Sequence, residues 1–150
     1  MAERTERAVL NHLIETCRDG EQGFLSAASH VESSALRALF EQMAAQRGRI
    51  AEALVPHANR LGGENTGEGT GAAALHRRWI DIKSKLRRHD DNAIVAEVER
   101  GDGFTLHAFQ EALEGMLPPD SRDVIQRFYD ELREAHGKIA ALDKVRHAQT

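Results

Sequence analysis

Cysteine is nearly absent: Cys17 is the only one in 150 residues. A lone cysteine cannot close an internal disulfide, build a zinc ribbon or supply a redox pair. Aromatic residues make up 5% of the chain, little material for the stacking platforms that hold single-stranded nucleic acid or for sugar sites. No stretch approaches the roughly 18 consecutive apolar residues of a membrane span. The opening Met1-Ala2-Glu3-Arg4-Thr5-Glu6 is too charged for a secretory signal, so the expected compartment is the cytoplasm. A net charge of −4 with neutral histidine argues against generic nucleic-acid binding. Strand-like alternation of apolar residues is missing throughout. The glycines at 62–71 follow no strand and lack the Lys-Ser/Thr ending of a phosphate loop. Helices offer no strained elbow for a serine nucleophile either, so hydrolase chemistry has no candidate.

What the chain does contain is helical periodicity. Leu10, Ile14, Cys17, Phe24, Ala28 and Val31 recur at the alternating three and four spacing of one helix face, predicting a helix over about residues 3–30. After Glu32-Ser33-Ser34, where a serine can cap orphan amides, Leu36, Phe40, Met43, Ile50 and Leu54 mark a second helix. It runs to about Leu61, where Gly62-Gly63 stops it, and Pro56 removes one backbone bond in its last turns. Residues 62–71 hold five glycines and read as a linker. Leu75, Trp79, Ile82 and Leu86 then mark a short helix, and Asp90 and Asp91 offer a new cap. Ile94, Val98, Thr105, Phe109 and Leu113 mark a longer helix that Pro118-Pro119 ends. Ile125, Phe128, Leu132, Ala135, Ile139 and Leu142 line the last one.

Four long helices of about 40 Å match in length, as a bundle requires. Short turns make the first pair antiparallel, and likewise the last pair. The connection over 62–89 is long enough to travel back along the bundle. The expected architecture is therefore a single all-α domain over 1–150, a four-helix bundle of ferritin-like connectivity whose one long crossover contains a short extra helix.

Each long helix interrupts its apolar stripe near its midpoint. Glu21 falls between Cys17 and Phe24, and Gln46 and Arg47 fall between Met43 and Ile50. Asp102 lies nearly on the centre of the third stripe with Glu97 and Glu99 at its flanks, and His136 lies between Leu132 and Ile139. Reflection through the turn near Pro118 sets His136 level with Glu99 and Asp102. Glycine collects at this height too: Gly20, Gly23, Gly48, Gly101, Gly103 and Gly137. Each interior glycine costs about 1 kcal/mol of helix propensity relative to alanine, so something should compensate: a small cavity, or backbones drawn close around a polar site. The bland alternative is glycine that eases helix packing or faces solvent.

The chain resembles a family of bacterial, mainly proteobacterial, four-helix-bundle proteins of unknown function assigned to the ferritin-like superfamily. The resemblance rests on Leu13-Ile14-Glu15-Thr16-Cys17-Arg18-Asp19-Gly20-Glu21-Gln22-Gly23-Phe24 and on Arg60-Leu61-Gly62-Gly63. It continues through Leu75-His76-Arg77-Arg78-Trp79, Glu97-Val98-Glu99-Arg100-Gly101-Asp102, Leu117-Pro118-Pro119 and Ala135-His136. It implies a fold and no established activity; a stress-related role follows only by analogy with the superfamily. Di-iron carboxylate bundles need a Glu from each of two helices and a Glu-x-x-His pair from each of the other two. Here the corresponding slots read Gln46-Arg47-Gly48-Arg49 and Arg133-Glu134-Ala135-His136, and none of the eight histidines has an acid three residues before it. A standard di-iron centre is not expected. Glu21, Glu99, Asp102 and His136 remain as candidate ligands for one Fe, Mn or Zn ion, with water completing the shell. The competing reading is a buried polar layer in which Arg47, beside Gln46, and protonated His136 neutralise the carboxylates.

Residues 76–89 carry six Lys or Arg against one Asp. Arg77, Arg78, Arg87 and Arg88 could dock an acidic protein partner, with Trp79 as anchor, or form a solvated face while Trp79 packs on the bundle. Leftover apolar faces would also permit a homodimer. Cys17 lies on the core stripe, where burial rather than thiol reactivity is expected.

Overall fold

The computed structural model describes residues 6–61, 79–80 and 90–148. Four helices account for nearly all of them: α1 (Glu6–His30), α2 (Ser34–Arg60), α3 (Asp91–Glu114) and α4 (Pro119–Ala148). There is no strand among the described residues, and no helix there is long and apolar enough to cross a membrane. The caps fall where the sequence placed them. Ser33 accepts from the Leu36 amide at 3.2 Å, and Asp90 accepts from the Ala93 amide at 2.9 Å. α2 continues through Pro56 to Arg60. The short helix expected between Leu75 and Leu86 falls mostly outside the described residues; Trp79 and Ile80 are helical.

The direction of each helix follows from contacts at its ends. The Asp91 carboxylate accepts from the backbone amides of Glu32 at 2.8 Å and Ser33 at 2.9 Å, so α3 begins against the α1–α2 turn. Arg146, near the end of α4, donates to Asn92 at 2.8 Å and returns the chain to the same end. α2 finishes at the opposite end, where Arg122 closes the α3–α4 turn by donating to the carbonyls of Leu113 at 2.6 Å and Gly115 at 2.5 Å. The order is thus up, down, down, up, and residues 62–89 join the two ends of a bundle about 40 Å long. α1 packs most closely on α2 and α3 on α4; α1 also lies along α3, whereas α2 and α4 touch only slightly.

The apolar interior is divided in two. Phe24, Val31, Leu36, Phe40, Ile94, Val98 and Ile139 fill the end nearest the α1–α2 turn. Leu10, Leu13, Cys17, Ile50, Leu54, Phe109, Ile125 and Leu132 fill the other. Between them lie the fully buried Arg47, Asp102 and Thr105, the height at which every long helix breaks its stripe. Trp79 reaches this level from the crossover and is buried against Phe24, ring centroids 6.3 Å apart, with Phe104 packed beside it.

Candidate functional site

Arg47 and Asp102 form the centre of the midpoint layer. Helical period alone brings them inward: Arg47 sits three residues before Ile50 on α2, and Asp102 four residues after Val98 on α3. Arg47 Nη2 donates to both Asp102 oxygens at 2.6 Å, and both side chains have no solvent exposure. Two charges removed from water are tolerated only with such close compensation. The rest of the guanidinium is also packed. Its Nη1 donates to Gln46 Oε1 and approaches Met43 Sδ at 3.9 Å, and its Cζ lies 5.1 Å from the Phe24 ring centroid, a cation–π contact.

From this pair a chain of side chains runs outward between α3 and α4. His136 Nδ1 lies 3.0 Å from Asp102 Oδ2, and its Nε2 lies 3.7 Å from Glu99 Oε2. Asp143 neighbours Glu99 closely enough to raise its proton affinity, and His147 Nδ1 stands 2.8 Å from Asp143 Oδ1. The chain runs from full burial at Asp102 to an exposed end at His147, 55% accessible, with His136, Glu99 and Asp143 partly exposed between them. The helix spacing explains the reach. Asp143 lies seven residues and His147 eleven residues beyond His136, so the three share one face of α4.

The structure thus brings together four of the residues singled out at the midpoint, Arg47, Asp102, His136 and Glu99, with Gln46 beside them. Glu21 joins none of these contacts. Its carboxylate rests over Gly48, where a side-chain carbon would stand 2.5 Å from Oε2. Asp143 and His147 were missed because they lie beyond the midpoint, on a face whose sequence is mainly polar. Of the basic segment, Arg77, Arg78, Arg87 and Arg88 lie outside the described residues, and Trp79 is buried in the bundle. Among the described residues, no group of three or more His, Cys, Asp or Glu is gathered closely enough to hold a metal ion. Cys17 is buried, and burial pushes its thiol up to about 12, against the weaker pull of Arg47.

Two groups of the chain hold their protons unusually tightly. The hydrogen bond with Asp102, aided by the Asp102 and Glu99 charges, raises His136 above its ordinary 6.5, while burial and Arg47 oppose the rise. The hydrogen bond with Asp143, then burial and the Asp143 charge, raise Glu99 above its ordinary 4.5. In both cases the folded state binds more protons than the unfolded chain, so stability falls as pH rises. The His136 contribution is complete below about pH 6.5 and is lost as pH climbs through the raised folded value. His57, lowered by burial and by Arg60, contributes the opposite slope, so the comparison must isolate His136. Urea midpoints should fall from about pH 6 to about pH 8.5, and His136→Gln should flatten that fall. Identical slopes in wild type and variant would show that His136 does not couple protons to folding.

A family model described as a domain of unknown function (DUF2383) matches residues 5–115, from the start of α1 through the end of α3. No curated protein matches the chain.

Proposed function

The chain belongs to the DUF2383 family, a domain of unknown function, and from that premise we propose a binding or structural protein: a cytoplasmic bundle of ferritin-like connectivity whose midpoint charges hold four helices in register. The observation that supports this reading is the buried Arg47–Asp102 pair. A guanidinium donating to both oxygens of Asp102 at 2.6 Å supports it, since a resident cation already neutralises the carboxylate at the centre of the layer. Such a pair adds little net stability, yet a slip of either helix leaves two buried charges unpaired at a cost of several kcal/mol, on the order of 3–5. It therefore selects one register. A role in stress physiology and pairing of two copies belong to the same proposal; docking of an acidic partner on Arg77, Arg78, Arg87 and Arg88 is a separate alternative to it.

One observation favours a second reading, a divergent Fe, Mn or Zn protein. Asp102 takes Nδ1 of His136 and leaves Nε2 facing Glu99, the orientation in which a carboxylate readies an imidazole for a metal. Elemental analysis decides between the two. Untagged protein is purified without chelator, reconstituted anaerobically with Fe(II), Mn(II) and Zn(II), and compared with a Glu21→Gln, His136→Ala double variant. The structural reading expects equal, low metal in both proteins. Near-stoichiometric metal that disappears in the variant would replace it with the second.

A further inference from the structure

The glycines collected at the bundle midpoint turn out to be unlike one another. Gly23 is covered by the Trp79 ring and Gly48 by the Glu21 carboxylate, while Gly103 and Gly137 have no described residue within 4 Å of where a side chain would start. Gly20 is different. A Cβ there would stand 3.4 Å from Arg47 Cγ and 3.8 Å from Thr105 Oγ1, ordinary contact distances that leave room for one methyl-sized group. Both residues that it would meet are fully buried. Each also carries a buried polar atom with no hydrogen-bond partner among the described residues: Arg47 Nε and Thr105 Oγ1.

We propose that the Gly20 notch is an internal binding site for a single water molecule, which accepts from Arg47 Nε–H and hydrogen-bonds the Thr105 hydroxyl. The chemistry selects a neutral acceptor. Arg47 is already neutralised by Asp102 through Nη2, so an anion at Nε would add an uncompensated negative charge to a dry interior. Water supplies an acceptor for the donor-only Nε–H and either role for the hydroxyl, meeting the need of an internal water for at least two polar partners. The site also explains a glycine in the middle of α1. Any side chain would displace the water, and the roughly fivefold penalty of glycine against alanine in helix formation is the lesser loss. This inference shares Arg47 with the register layer proposed above but does not depend on it, since its failure leaves the Arg47–Asp102 pair in place.

Gly20→Ala gives two opposed expectations. By helix propensity alone, with a methyl that fits, the unfolding constant should drop about fivefold. If the methyl displaces a bound water, two buried polar groups are left unsatisfied, and the constant should instead rise by roughly tenfold or more. Gly20→Ser, whose hydroxyl extends from the same carbon toward both groups, should return to within about threefold of wild type. A drop for Gly20→Ala, or a serine variant no better than alanine, overturns the site. Should Gly20→Ala fail to fold, wild-type protein still answers through magnetisation exchange between bulk water and the Arg47 Nε proton. A long-lived water contact at that proton supports the proposal, and no contact refutes it. A shift of that proton on exchanging sulfate for chloride would mean that an anion occupies the notch, and would equally overturn it.

Discussion

Arg47→Met should cost about 3–5 kcal/mol of unfolding free energy, because it removes the cation and leaves the Asp102 carboxylate buried with His136 as its remaining partner. Asp102→Leu should cost a similar amount, since the Arg47 guanidinium, fully buried, then loses its counter-charge and keeps Gln46, the contact to Met43 Sδ and the Phe24 face. The double variant behaves differently. With both charges gone, the layer becomes continuous with the apolar clusters on either side, and most of the loss should return; a residue remains because His136 Nδ1 has lost its acceptor. Urea unfolding of the four proteins measures this cycle. Single losses below about 1 kcal/mol, the range of exposed pairs, would mean that the pair is solvated and sets no register. Against a total stability of about 5–15 kcal/mol, either single variant would bring the protein close to unfolding.

Gly23→Ala should be nearly as damaging for an opposite reason, a group added rather than removed. The new Cβ would lie 2.3 Å from Trp79 Cζ3 and 2.4 Å from Cε3, distances that no side chain adopts. The obstacle is a rigid ring, so Trp79 must leave its seat against Phe24. Trp-to-Ala losses in cores run to about 3–5 kcal/mol, and the gain in helix propensity offsets about 1 of these. Trp79 is the only tryptophan in the chain, so its fluorescence reports the event directly: a red-shifted emission and easier acrylamide quenching. An unchanged spectrum in a stable variant would place the indole elsewhere. Gly137→Ala is the matched control. Among the described residues nothing stands within 4 Å of its Cβ, so it should stabilise the protein by up to about 1 kcal/mol.

The fold was legible because apolar spacing survives in every helix, and because Ser33, Asp90 and Pro118-Pro119 punctuate the chain where helices start or stop. The depth of Arg47, Asp102 and His136 was legible for the same reason, since position along a helix face needs only the helical period. Side-chain reach was not. Glu21 falls on the α1 stripe, yet the missing side chain of Gly48 on the neighbouring helix gives its carboxylate a place to lie away from Asp102. Asp143 enters the chain through the length of Glu99, a relation between two helices that no spacing within one of them reveals. The seat of Trp79 on Gly23 likewise depends on how the crossover is set against α1. Both residues stand plainly in the sequence, and nothing in it pairs them.

The split ownership of the buried pair bears on assembly. Arg47 belongs to the first hairpin and Asp102 to the second, so the fully buried ion pair is completed only when the two halves meet. Two first hairpins meeting in place of the proper halves would set arginine toward arginine, and two second hairpins would set aspartate toward aspartate. Like charges in a drying interface repel and are left without partners, so both mistaken dimers are penalised while the correct pair is not. On the register reading proposed above, the layer is also a matching code between two similar antiparallel hairpins, by which each would accept its complement over its own duplicate.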